Sequence, residues 1–192
     1  LSIYDHNFEI INSYKKINLV PFGEFLPFEK ILRQIGLKNI TNNYQPYSKG
    51  EKRNIIEINK FNLSIKLLPL ICYEIIYSGK IFDNHNFDYI FNISEDGWFG
   101  NSIGPHQHFA HSIFRAIESG KYIIRSANNG VTAIINPMGF AEKKLPLGKS
   151  GYIDFSEKRV FNTTLFSQHG NKMFLIIILL YIFLIFSFNR IS

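Results

Sequence analysis

One cysteine, one lysine and two glutamates carry most of the chemistry this chain has to offer. Cys72 is the only cysteine among 192 residues. It lies near the end of Leu67-Leu68-Pro69-Leu70-Ile71-Cys72-Tyr73-Glu74-Ile75-Ile76, an apolar run of the kind found in strands covered on both faces. The end of such a strand holds a side chain rigidly, while the loop that follows leaves it open to a ligand. A thiol becomes a nucleophile as the thiolate, so it needs a cation or a base beside it. Lys16 begins a segment running into Pro21-Phe22-Gly23-Glu24, where Pro-x-Gly favours a turn that projects Lys16 and Glu24 into one space. An ammonium there favours the thiolate. Together with the backbone N–H of Cys72 or Tyr73 it also stabilises the oxyanion of a tetrahedral intermediate, an effect of about 3 kcal/mol per donor. Glu24 and Glu74 are the carboxylates at hand, either to accept a proton or to orient Lys16. Taken singly, the cysteine reads as a small buried hydrophobe and the lysine as a solvated strand residue. Taken together they point to acyl transfer through a thioester.

The elements that must position these residues follow from pattern. Residues 1 to 20 alternate as a hairpin, with a polar Asp5-His6-Asn7 turn and a second strand reaching Val20. A loop-rich stretch follows from Phe25 to Arg53, with a short helix expected over Glu29–Ile35 and the polar Asn39–Glu51 segment expected to cover the site. Asn54–Ile58 and Leu63–Ile76 read as a hairpin, and Asp88–Ser94 as a further strand ending in Glu95-Asp96-Gly97-Trp98-Phe99-Gly100. That loop sets two aromatic rings beside polar groups and suits the wall of an apolar pocket. Pro105 starts a helix that Gly120 stops, with Phe109, Ile113, Ala116 and Ile117 on its inner face. Arg115 and Glu118 on it are spaced for an ion pair. His106, His108 and His111 lie on it too, but no acidic or thiol partner at fixed spacing completes a metal site, and none is expected. Tyr122–Ser126, the Asn128-Asn129-Gly130 turn and Val131–Asn136 form the next pair of strands, and Gly139–Phe161 reads as polar hairpins.

Length suits one domain plus a tail. The net charge of +6 and pI near 9.3 come from scattered lysines without a basic run, which argues against nucleic acid and is compatible with anionic lipid. A single cysteine excludes an intramolecular disulfide. Leu1-Ser2-Ile3-Tyr4 reads as the middle of a strand, so the chain is expected to continue a longer protein. Met173–Phe188 has no charge, is bracketed by Lys172 and Arg190, and is expected to be a transmembrane helix. The expected division is therefore 1–168 for the catalytic domain and 169–192 for the membrane helix and a short tail.

Five motifs in order resemble the apolipoprotein N-acyltransferase family, the membrane-embedded members of the nitrilase, or carbon-nitrogen hydrolase, superfamily. They are Lys16-Ile17-Asn18-Leu19-Val20-Pro21-Phe22-Gly23-Glu24; Cys72-Tyr73-Glu74; Asp96-Gly97-Trp98-Phe99-Gly100 with Gly104-Pro105-x-Gln107-His108; Arg115-Ala116-Ile117-Glu118; and Arg125-Ser126-Ala127-Asn128-Asn129-Gly130-Val131-Thr132-Ala133. The resemblance covers nearly the whole chain. It implies an α/β fold, the C-terminal portion of a nitrilase-like α-β-β-α sandwich, on the periplasmic side of the bacterial inner membrane. It implies a Glu-Lys-Cys triad that takes an acyl chain from a phospholipid, commonly phosphatidylethanolamine, and passes it to the α-amino group of a diacylglyceryl-modified apolipoprotein. No cofactor or metal is implied. Lys16 and Cys72 match the family's lysine and nucleophile, and Glu24 and Glu74 its supporting acidic positions. Tyr73, Trp98 and Phe99 are the expected substrate-binding residues.

Two positions depart from the family pattern: Asn18 stands where His is usual, and Glu95 where Asn is usual. A carboxylate at 95 opposes thiolate formation nearby. The triad glutamate lies upstream of the lysine motif in the family, so residues 1–192 alone are expected to be inactive. The competing expectations are a soluble nitrilase-type amidase acting on a small amide, which the apolar tail and the Val20–Glu24 turn disfavour, and an inactive membrane-anchored fragment.

Overall fold

The structure, a computed structural model, describes residues 1–35, 47–60, 63–81, 85–156 and 159–189. Most of the expected Asn39–Glu51 cover lies outside them. Strands β1 (Ser2–Tyr4) and β2 (Ile10–Ser13) form a small antiparallel ribbon. Helix α1 (Glu29–Gln34) follows. A six-stranded sheet then runs in sequence order through β3 (Ile56–Lys60), β4 (Leu63–Ile71), β5 (Tyr89–Glu95), β6 (Tyr122–Asn128), β7 (Thr132–Ile135) and β8 (Ala141–Leu145). The central pairs β4–β5 and β5–β6 are parallel and the outer pairs antiparallel. The three parallel strands therefore end at one edge, at Ile71, Glu95 and Asn128, where the candidate chemistry gathers.

Helix α2 (Gly104–Ser119) crosses one face of the sheet, begun by Pro105 and closed by Gly120 at a left-handed φ of 69°. Beneath it lies the main core of Leu68, Leu70, Ile90, Ile123, Ala133 and Ile135, joined by Ile75, Ile81, Phe87 and Ala116. The helix turns three of its four expected apolar residues to the core, Ala116 among them. Phe109 and Ile113 pack against the core, but Ile117 is exposed, and His108, Ser112, Arg115 and Ser119 are buried in its stead. The reason is polar: Arg115 donates to the carbonyl of Ile76 at 3.0 Å and pairs with Glu118 at 2.6 Å, while His108 reaches the strand ends. On the opposite face Tyr89, Tyr122 and Ile134 pack with Ile153 and Phe155, next to a cavity of about 700 Å³ between the sheet and residues 148–153.

Three strand expectations are corrected. The run Leu67–Ile76 is not one strand, because β4 stops at Ile71 and Cys72–Ile76 form a 3-10 turn. Residues 14–20 do not extend β2, since side chains described below capture their backbone. Within Gly139–Phe161 only β8 pairs with the sheet. At the other end, α3 (Leu165–His169) leads into α4 (Lys172–Asn189). The expected membrane segment is thus helical, with almost every apolar side chain from Phe174 to Phe188 exposed. Even so, among the described residues no helix is long and apolar enough to cross a membrane, so the fold by itself does not carry the expectation of a span.

Candidate active site

Cys72 is the first residue beyond β4, and its φ of 51° is left-handed. A residue with a Cβ spends about 1–2 kcal/mol to adopt that conformation, so surrounding interactions must impose it. The turn it starts lies at the sheet edge, and Cys72 lines a cavity there of about 270 Å³. Val20, Gly23, Glu24 and Tyr47 line one side of this cavity; Tyr73, Glu95, Trp98, Phe99 and His108 complete it. All three expected substrate-binding residues are therefore walls of the space that holds the thiol. Tyr73 also packs edge-on against Tyr77, with centroids 5.6 Å apart.

Lys16 is buried, and its Nζ donates to Glu24 Oε1 at 2.8 Å. The other Glu24 oxygen accepts the N–H of Val20 at 2.8 Å. The carboxylate thus closes its own turn beside the lysine, and Glu24 is the member of the pair that lines the cavity. Glu74 has a different setting. It is fully buried and accepts from the Tyr14 hydroxyl at 2.8 Å, the N–H groups of Ile17 and Asn18 at 3.0 and 3.2 Å, the N–H of Ile71 at 2.9 Å and Arg53 Nη2 at 2.9 Å. Through it, the backbone just after Lys16 is tied to the backbone on either side of Cys72. Burial, then the Glu74 charge, pushes the Tyr14 hydroxyl well above its ordinary range. Burial opposes the Arg53 guanidinium, but Tyr14 and Glu74 outweigh it and hold that group above its usual value. Asn18, one of the two departures, accepts from Arg53 Nη2 at 3.0 Å and so joins this network.

A second buried network stands on the α2 side. Asp96 begins the turn after β5 and is fully buried. It accepts from Arg125 Nη2 at 2.7 Å, from Ser94 Oγ at 2.6 Å and from His108 Nδ1 at 2.8 Å. Burial pushes its carboxyl upward, but the hydrogen bond from His108 and the Arg125 charge prevail and hold it below the ordinary value. His108 Nε2 lies 3.2 Å from the main-chain oxygen of Cys72. Arg125 continues the row through Asn92, which donates to the Leu70 carbonyl at 3.1 Å. Gly130 is required here, because a Cβ at that position would collide with the Asp96 carboxylate. Glu95, the other departure, accepts from Gly97 N–H at 2.7 Å and from the amides of Asn128 and Asn129. The Gly97 bond, then those amides, lowers its carboxyl below the usual range, so the cavity wall carries a negative charge at neutral pH.

Glu24, Cys72, Tyr73, Trp98 and Phe99 thus line one cavity, whereas Lys16 and Glu74 are not among its walls: Lys16 pairs with Glu24, and Glu74 bonds the backbone of Ile17, Asn18 and Ile71. Sequence reasoning assigned no role to Tyr14, Tyr47, Arg53, Asn92, Asp96 or Arg125. Asn92 and Arg125 left a trace, as the first polar interruptions after the apolar openings of the strands YIFNISE and YIIRSAN, which is the mark of a buried polar network. Among the described residues no group of three or more His, Cys, Asp or Glu side chains is placed to hold a metal ion.

Residues 2–156 match the family described as carbon-nitrogen hydrolase. The chain belongs to that family. Its curated relatives include the apolipoprotein N-acyltransferase of Rickettsia bellii (strain RML369-C), 44% identical over 92% of this chain and 34% of the relative. The protein of the same name from Rhodopseudomonas palustris (strain ATCC BAA-98 / CGA009) is 38% identical over 88% of this chain and 32% of its own length. The chain spans about a third of the length of the curated relatives it matches. Among solved structures, an amidase from Nesterenkonia sp. superposes with a TM-score of 0.50 at 16% identity, covering 76% of this chain and 50% of that one. That likeness, with the family match, shows the nitrilase-like fold, of which the described residues supply one sheet and the helix layer packed on it.

Proposed function

We propose that this chain carries the nucleophile and the activating cation of an N-acyltransferase. In this reading Cys72 takes an acyl chain from a phospholipid, phosphatidylethanolamine being the expected donor, as a thioester. It then passes the chain to the N-terminal α-amino group of a diacylglyceryl-modified apolipoprotein. The observation that carries the reading is that the Cys72 turn and the Glu24 end of the Lys16–Glu24 ion pair share one cavity with the apolar walls Val20, Tyr73, Trp98 and Phe99. That combination suits a thiolate attacking the ester of a long acyl chain. Lys16 favours the thiolate and stabilises the oxyanion, Glu24 orients Lys16, and Glu74 fixes the distance between the two segments. Both Glu24 oxygens and both Glu74 oxygens are already engaged. This supports the general base being a further carboxylate outside residues 1–192, as the family resemblance implies. The proposed division remains 1–168 and 169–192, a boundary that falls just before His169, the last residue of α3.

Helix α4 is proposed as the membrane anchor of a protein in the bacterial inner membrane, with the catalytic domain on the periplasmic side. It has 18 residues, which at 1.5 Å each is about 27 Å, against about 30 Å of hydrocarbon. Snorkelling of Lys172 and local thinning make up such a shortfall at a fraction of a kcal/mol per Å. A helix exposed and apolar all round has no other evident solvent.

The test is a chimera in which this chain replaces the matched region of the Rickettsia bellii relative. Incubated in membranes with phospholipid labelled in its acyl chain, the chimera should form a hydroxylamine-sensitive adduct. Cys72→Ser should abolish it, and Lys16→Met should reduce its formation by about two orders of magnitude or more. An adduct that persists in Cys72→Ser removes Cys72 from the mechanism, and normal thioester formation in Lys16→Met removes Lys16.

A further inference from the structure

Among the described residues, Glu24 and Glu95 are the carboxylates that line the cavity with Cys72. Glu24 is paired with Lys16 at 2.8 Å. Behind the wall, Asp96 is paired with Arg125 at 2.7 Å. Glu95 differs from both, because its partners among the described residues are neutral: the N–H of Gly97 at 2.7 Å and the side-chain amides of Asn128 and Asn129. The Gly97 and Asn129 bonds fall on Oε1 and the Asn128 bond on Oε2. A carboxylate offers about four acceptor positions over its two oxygens, so Oε2 keeps capacity for a further donor. The Gly97 bond, then the two amides, holds the carboxyl below its usual range. The cavity wall therefore carries a fixed negative charge with no countercharge of its own.

Capping the Asp96–Phe99 turn does not account for this charge. The Glu95 side chain does accept the N–H of Gly97 at the start of that turn, but a neutral asparagine caps as well as a carboxylate, and asparagine is the residue usual here in the family. The backbone makes way for the longer side chain: a Cβ on Gly97 would lie 2.5 Å from Glu95 Oε1. On the same wall Trp98 stands 83% exposed, and the face of an indole attracts a cation.

We propose that Glu95 is a recognition residue: its carboxylate, with the Trp98 ring beside it, receives the primary ammonium of the donor phospholipid's headgroup and favours an ethanolammonium headgroup over one without a cation. The acceptor also brings a primary ammonium, but that group must lose its proton before it attacks the thioester. A carboxylate that stabilises the charged form opposes that loss. The cation suited to this wall is one that takes no part in bond-making, and the headgroup ammonium is such a cation. An asparagine in place of Glu95 offers it no charge, so the selectivity belongs to this chain's departure from the family pattern.

The inference rests on the proposed function for its ligand, but its first test needs no acyl transfer. Cys72 is the only thiol of the chain. The 192-residue chain in detergent is treated with 2-aminoethyl methanethiosulfonate, which carries a primary ammonium, or with neutral methyl methanethiosulfonate. In each case the thiolate attacks the sulfenyl sulfur, a disulfide forms and methanesulfinate leaves. Both reagents meet the same thiol, so its intrinsic reactivity cancels in the ratio of rates. The cationic-to-neutral ratio should fall about threefold in Glu95→Gln at low ionic strength, with a smaller difference in high salt. An unchanged ratio overturns the proposal. If Glu95→Gln does not fold, Glu95→Asn, which keeps a capping carbonyl without the charge, takes its place. The second test uses the chimera and compares thioester formation from phosphatidylethanolamine and phosphatidylglycerol carrying the same labelled acyl chains. The preference for phosphatidylethanolamine should fall about threefold in Glu95→Gln. An unchanged preference overturns the proposal, as does an effect confined to the transfer step, which would assign the carboxylate to the acceptor's α-ammonium. Failure of both lipids to form an adduct counts against the proposed function and leaves the reagent ratio to decide this inference.

Discussion

Replacing Glu74 with glutamine should unfold the candidate site before it disturbs any chemistry. The side chain is 0% exposed and accepts from five groups: the Tyr14 hydroxyl, the N–H groups of Ile17, Asn18 and Ile71, and Arg53. Glutamine keeps one oxygen. If that oxygen stays where Oε1 was, the new NH₂ confronts the N–H of Ile71, and a buried donor left facing a donor costs about 1–3 kcal/mol. Arg53, itself only 6% exposed, loses the negative partner of its ion pair, and breaking a buried pair costs about 3–5 kcal/mol. The two penalties share partners and do not add in full, because Arg53 retains its bond to the Tyr14 oxygen at 3.3 Å. A net loss of about 3–5 kcal/mol follows, a large part of the 5–15 kcal/mol typical of a domain. Urea unfolding followed by far-ultraviolet circular dichroism in detergent measures it, and Arg53→Met in the Glu74→Gln background should cost much less than Arg53→Met alone. A Glu74→Gln chain within about 1 kcal/mol of wild type would refute the argument. It would mean that residues 14–18 are held by something other than this carboxylate.

Tyr14 gives the alkaline counterpart. Its hydroxyl titrates above its usual value of about 10 in the fold, because burial and Glu74 disfavour the phenolate. The stability this contributes is complete below pH about 10 and is lost as pH rises toward the folded value. Tyr14→Phe should therefore flatten the decline in urea midpoint above pH 10, and an unchanged decline would show that another group governs it. Glu95→Gln removes the charge from the cavity wall. The ratio of Cys72 alkylation by anionic iodoacetate to that by neutral iodoacetamide should rise roughly threefold at low ionic strength and less in high salt. A salt-independent ratio identical to wild type would place the Glu95 charge out of reach of the thiol.

The parts of the site legible in the sequence are those encoded by short spacing. Pro21-x-Gly23 announces the turn that sets Glu24 on Lys16, and Pro105 and Gly120 bracket α2. A long apolar run announces the strand beneath Cys72, but not where that strand ends. Nothing in the hydrophobic pattern distinguishes Leu67–Ile71 from the 3-10 turn after it, since the break is a left-handed cysteine and cysteine carries no propensity for that region. Residues 14–20 read as strand because their alternation is right, and they are irregular because Glu74, 60 residues from Tyr14, captures their N–H groups. Long-range capture of this kind has no local signature.

The two buried networks also differ in what they are for, and general stability explains neither. A buried ion pair can often be replaced by apolar residues of similar volume at no loss, so Glu74–Arg53 and Asp96–Arg125 are poor means of stabilising the sheet. Each does something an apolar pair cannot, which is to hold backbone groups that lie outside any ladder. Glu74 takes the N–H groups of Ile17, Asn18 and Ile71, fixing the lysine segment against the cysteine segment. Asp96 holds His108, which holds the carbonyl of Cys72, fixing the nucleophile from the opposite side. The consequence is an asymmetry in how substitutions act. Loss of the first network should displace Lys16 relative to the Cys72 segment, because the carboxylate that bonds the backbone beside both has gone. Loss of the second should leave Lys16 in place and free the carbonyl of Cys72, loosening the turn that carries the thiol.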